Sequence, residues 1–113
     1  MNEKDKKTVE SIIFYCNRMQ AHVNRFGDDK GIYLSDIQFQ DACSSVIINI
    51  GEFVGRLSDE FKSEYPDIPW SKIICMRNIH AHNYESVIDE IIWETIQEDI
   101  PYLKQYLENV LNE

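Results

Sequence analysis

Between Val9 and Phe26 the apolar residues Val9, Ile12, Ile13, Cys16, Met19, Val23 and Phe26 recur every three or four positions. That is the period of one face of an amphipathic helix. Gly27, followed by Asp-Asp-Lys-Gly, ends it. A second helix is predicted to open at Ser35, with Gln38 three residues on in the spacing of a capping box. Its inward face is Val46, Ile47, Ile50, Phe53, Val54, Leu57 and Phe61. Gly51 and Gly55 interrupt this helix one turn apart, each costing up to about 1 kcal/mol relative to alanine. Such a pair points to close approach of another helix, within the chain or from a dimer partner.

The stretch YPDIPW, Tyr65 to Trp70, has two prolines in six residues and is predicted to be a loop. A short helix then runs from about Ser71 into RNIHAHNY, Arg77 to Tyr84. Ser86 with Asp89 marks a further capping box, opening a helix that turns Val87, Ile88, Ile91, Ile92 and Ile96 inward. Pro101 should kink or restart that helix, and Leu103, Tyr106, Leu107, Val110 and Leu111 continue its stripe. With no alternating strand pattern and no internal repeat, residues 1–113 read as a single domain. The expected fold is an all-α, up-and-down bundle of four to five helices.

Composition narrows the function. No apolar run nears the roughly 20 residues that span a bilayer, and the N-terminus lacks a signal-peptide core, so no membrane and a cytoplasmic location are expected. Cys16, Cys43 and Cys75 are odd in number and far apart, which suits reduced, mostly buried thiols rather than a disulfide framework or a metal site. Trp70 and Trp93 are expected in the core or an interface. A net charge of −9 argues against broad, nonspecific binding to nucleic acid. The acids are unevenly spread, however. Ser11 to Gly27 and Ile68 to Tyr84 contain no Asp or Glu, yet hold Arg18, Arg25, Lys72, Arg77 and all three histidines. Brought together, they would give an anion a local home.

Cutting RNA without a metal requires three things: a proton taken from the ribose 2′-hydroxyl, a stabilised phosphorane, and a proton returned to the departing 5′-oxygen. A histidine titrating near neutrality can do either proton transfer, and an arginine grips phosphate in either state. Arg77 and His82 are five positions apart, about 140° around an unbroken helix. A helix end between them would let them converge. Acid and base must also stand on opposite sides of the phosphorus, so two subunits with facing motifs are expected to share one cleft. His80 and His82 flank Ala81 and would point apart on a helix, which disfavours a shared metal. No cofactor is called for.

The order of Arg77, His82 and Tyr84 resembles the signature of the HEPN superfamily, specifically the HepT-like toxins. IGE at Ile50 to Glu52, YPDIPW, RNIHAHNY, then Val87, Asp89, IIW at Ile91 to Trp93 and IPYL at Ile100 to Leu103 follow in that family's order. The resemblance spans roughly Ser35 to Leu111. It implies a HEPN-like helical homodimer that cleaves RNA without metal. By position, Arg77 would bind phosphate, His82 would be the acid/base, and Asn78 and Glu52 would support them. The resemblance further implies a type VII-like toxin–antitoxin pair. Its MNT-type nucleotidyltransferase antitoxin would transfer AMP from ATP to Tyr84, silencing the ribonuclease. Two rival readings use the same residues. One is a noncatalytic nucleotide- or partner-binding subunit of a nucleotidyltransferase complex; the other is a purely structural helical dimer.

Overall fold

The structure, a computed structural model, describes residues 1–113 apart from the side chain of Tyr84. Among the described residues the chain is helical throughout, with no strand. The all-α expectation is met.

Helix α1 spans Glu3–Phe26, six residues longer at its start than the apolar stripe suggests. Asn2 caps it by accepting from the Asp5 amide at 2.6 Å. The first inward-facing positions are polar: Asp5 and Thr8 are both buried, so a hydrophobic period cannot register them. Asp5 is satisfied from far along the chain, accepting from the Ser58 amide at 3.0 Å and the Ser58 hydroxyl at 2.5 Å. Gly27 ends α1 with φ at +124°, in the region that favours glycine.

The predicted start of the second long helix is corrected by one residue. Asp29 caps a short helix α2, Lys30–Ser35, and Ser35 closes it by donating its hydroxyl to the Gly31 carbonyl at 2.9 Å. Asp36, not Ser35, caps α3, Ile37–Arg56, accepting from the amides of Gln38 and Phe39. A carboxylate beside a hydroxyl is the stronger acceptor for these donors. Phe61 does not belong to α3. Leu57 is extended, and Ser58 caps a separate helix α4, Asp59–Glu64.

Residues 65–69 form the expected loop, closed where Trp70 Nε1 donates to the Tyr65 carbonyl at 3.0 Å. Helix α5 spans Trp70–His82, and a 3-10 turn follows at Tyr84–Ser86. Ser86 donates its amide to the Asn83 carbonyl and caps nothing. Helix α6, Asp89–Glu94, starts after Ile88 without a side-chain cap, so the predicted Ser86–Asp89 box is not formed. A π turn, Thr95–Asp99, links α6 to α7, Ile100–Leu111. Pro101 does not restart the helix, and the irregularity it brings is the π turn directly before it. It has no N–H for the carbonyl four residues back, and the preceding turn widens so that the Ile100 amide reaches Thr95. Ile88 and Ile91 are exposed, at 56% and 50%, where the sequence stripe put them inward.

Helix α3 packs between α1 and α5, α7 lies along α1, and α2 bridges α3 and α6. Val9, Ile12, Met19, Phe39, Cys43, Ile50, Val54 and Leu107 fill the centre. Trp93 closes one end against Tyr33, with ring centroids 5.4 Å apart, and Trp70 is buried at the other, near Phe61. Both tryptophans are core residues, as expected. The molecule measures 42 × 27 × 20 Å, so its thinnest dimension is about two helix diameters. Every helix of this array therefore keeps an outward face, and α5 presents the motif on one of them.

Candidate active site

The motif RNIHAHNY lies on the last two turns of α5 and the turn after it. Helix α5 is unbroken from Trp70 to His82, with Asn83 closing it through a bond to the Ile79 carbonyl at 2.9 Å. The expected helix end between Arg77 and His82 is therefore absent. The hydrogen-bond ladder has no proline or glycine to interrupt it over that span. On one protomer the two side chains leave the helix about 140° apart. His82 and Asn78 are exposed on the outer side.

Arg77 leaves toward α3. Gly51 makes room for it: a Cβ built at Gly51 would clash with Arg77 Cβ and lie 2.6 Å from its Cγ. The glycine pair is thus half explained, since a Cβ at Gly55 would meet nothing within 4 Å. Arg77 Nη1 donates to Glu52 Oε1 at 2.8 Å, and the two side chains remain 22% and 43% exposed. The Arg77 Nε is buried without a hydrogen-bond partner among the described residues. This leaves a guanidinium held by Glu52 and only partly exposed, with one buried donor unpaired.

His80 sits one turn on, on the same α3-facing side. It is buried, with Nδ1 hydrogen-bonded to the Ser44 hydroxyl at 2.8 Å. Burial holds its pKa below the usual 6.5. Ser44 carries no sequence signal of its own, because a serine inside an apolar stripe looks like tolerance. The side chain of Tyr84, the expected modification site, lies outside the described residues.

The two acid-free stretches do not merge into one basin. One lies on α1 and the other on the loop and α5, with α3 between them. Of the cysteines, Cys16 and Cys43 are buried and burial pushes each thiol up to about 12, while Cys75 is exposed on α5. Among the described residues no helix is long and apolar enough to cross a membrane.

Comparison with known proteins decides the family: the model described as Ribonuclease HepT-like matches residues 12–110. The chain belongs to the HepT-like ribonuclease family. A probable ribonuclease HepT of Thermococcus cleftensis is 35% identical over 69% of this chain and 71% of its own. A protein of Methanocaldococcus jannaschii provisionally named an RNase is 31% identical over 54% of this chain and 56% of its own. Another with that provisional name, from Caldanaerobacter subterraneus subsp. tengcongensis, is 40% identical over 55% of each. The chain thus spans about half the length of two of these three relatives. No solved structure matches.

Proposed function

We propose that this HepT-like chain is a metal-independent endoribonuclease toxin that works as a homodimer. The carrying observation is the Arg77 guanidinium, anchored to Glu52 at 2.8 Å over Gly51 and still partly exposed, on the same helix as exposed His82. A scissile phosphate accepts from Arg77, and Glu52 keeps that guanidinium aimed. His82 takes the 2′-hydroxyl proton; the 2′-oxygen attacks phosphorus and the bond to the 5′-oxygen breaks. A 2′,3′-cyclic phosphate forms, and a second histidine protonates the leaving 5′-oxygen. Asn78, exposed one residue from Arg77, supplies an uncharged donor.

The divergence of Arg77 and His82 on one helix supports the shared-cleft reading. One protomer aims its guanidinium and its imidazole at different places, so a phosphate flanked by acid and base needs a second copy. Tyr84, two residues past His82, is the proposed acceptor of AMP from a partner MNT-type nucleotidyltransferase. An attached phosphodiester would occupy the anion position and add charge there.

Incubation of the purified chain with RNA in the presence of a chelator tests the reading. Cleavage leaving cyclic phosphate ends is expected, lost in His82→Ala and Arg77→Ala. Intact RNA with the parent chain would sink it. Co-expression with the partner should add AMP-sized mass increments that Tyr84→Phe abolishes. Nucleotide or partner binding without cleavage would point instead to the noncatalytic subunit.

A further inference from the structure

Glu52 and its neighbour Phe53 leave α3 about 100° apart and meet different helices. While Glu52 reaches Arg77 on α5, Phe53 stacks on Tyr15 of α1, with centroids 5.7 Å apart and planes 30° apart. Tyr15 in turn meets Phe14 edge-on at 5.2 Å. A guanidinium caps each end: Arg56 lies 4.8 Å from the Phe53 centroid and Arg18 lies 5.9 Å from that of Phe14. These five side chains form one band from α3 to α1, whose Arg56 end stands one turn past Glu52 on α3.

The band is open to solvent where it counts. Phe14 is 54% exposed, and Arg18 and Arg56 are exposed. Along α1 the same face continues through His22 and Arg25, so Phe14, Arg18, His22 and Arg25 line about 16 Å of helix. No Asp or Glu occurs between Ser11 and Gly27. Burial first, and then the Arg18 charge, hold His22 below its usual pKa.

Rings interleaved with guanidinium groups suit a ligand that offers both flat faces and negative charge. A second copy docked here across a two-fold axis would set Arg18 and Arg56 against the same arginines of its partner, at a cost in desolvation. Single-stranded RNA supplies bases to stack and phosphates for the arginines, whereas duplex bases are already stacked on each other. We propose that the band Arg56, Phe53, Tyr15, Phe14 and Arg18 is a stacking platform holding single-stranded RNA beside the phosphate at Arg77. It rests on the ribonuclease reading and specifies its substrate as unpaired RNA. It also answers how a chain of net charge −9 holds RNA: through a short, ring-lined track whose α1 part, Ser11 to Gly27, carries no acid.

The test is fluorescence anisotropy of a labelled single-stranded RNA of about twelve nucleotides on full-length protein carrying His82→Ala, so that binding is read without cleavage. Phe14→Ala should weaken binding about five- to tenfold. Arg18→Gln and Arg56→Gln should each lower the slope of log affinity against log salt by about 0.7. All three substitutions sit at exposed positions and leave the core intact, while Lys104→Gln on α7 should change nothing. With His82 restored, the band variants should raise KM for RNA more than they lower kcat. Unchanged affinity in all three variants overturns the platform. So does a change of molar mass by light scattering in Phe14→Ala, which would make the band a subunit contact. Binding that depends on the band in a chain that never cuts RNA leaves the platform standing and removes the ribonuclease.

Discussion

Gly51 and Gly55 occupy equivalent places one turn apart on α3, yet they answer to different physics. Gly51→Ala sets a methyl against Arg77 Cβ and Cγ, and α5 must move to admit it. The expected loss is about 1–3 kcal/mol, read from urea denaturation, with a fall in RNA affinity as Arg77 shifts. Gly55→Ala meets open space in a helical segment, and the expected gain is about 1 kcal/mol. Equal effects at both positions would contradict this account of the α3–α5 contact. His80 adds a pH dependence. Its burial makes the folded chain harder to protonate there than the unfolded chain, whose imidazole titrates near 6.5. The stability conferred by neutral His80 is complete above about 6.5 and is lost as pH falls below it. His22, shifted the same way by burial and Arg18, contributes in the same direction. Denaturation midpoints should drop on acidification, and His80→Gln should flatten that drop; an unaltered profile would show that His80 is not its source.

At the scale of elements, the start of α1 and the start of α4 are one construction. Buried Asp5 binds the amide and hydroxyl of Ser58 while the same hydroxyl accepts from the Phe61 amide at 3.1 Å. Asp5→Ala leaves the Ser58 donors without their acceptor, and a loss of about 2 kcal/mol is expected. Hydrogen exchange should localise it, with the α4 amides losing protection before those of α3; uniform loss would mean that the contact tethers nothing in particular. The helices themselves were largely legible in the residues. The apolar periods of α1, α3 and α7 and the Tyr65–Trp70 loop stand where the sequence puts them. Their ends were not. Ser35 and Ser86 carry capping-box spacing and cap nothing, because Asp36 stands beside the one and a 3-10 turn consumes the other. Spacing identifies competent caps but does not rank neighbouring competitors.

For the whole molecule, the decisive property is that one protomer offers half of the proposed chemistry. Activity per chain should therefore fall on dilution in step with the loss of dimer mass by light scattering, and a monomer cleaving RNA at the full rate would refute the shared cleft. Exposed Ile88 and Ile91 lie beside Met76 and Ile79, an apolar area next to the end of α5 that a subunit contact would cover. Ile88→Asp should weaken any dimer built through it and leave the monomer fold intact.

The sequence by itself determined the helical class, the inward stripes of the long helices and the residues of the motif. Each of these depends on local period or on residue chemistry, which the chain carries in order. Only tertiary structure decided that Gly51 makes room for Arg77 and that Ser44 holds His80. The Phe14–Phe53 band likewise joins residues 39 positions apart in the chain. Those are contacts between helices, and their partners are set by how α1, α3 and α5 cross, a quantity that no single helix encodes.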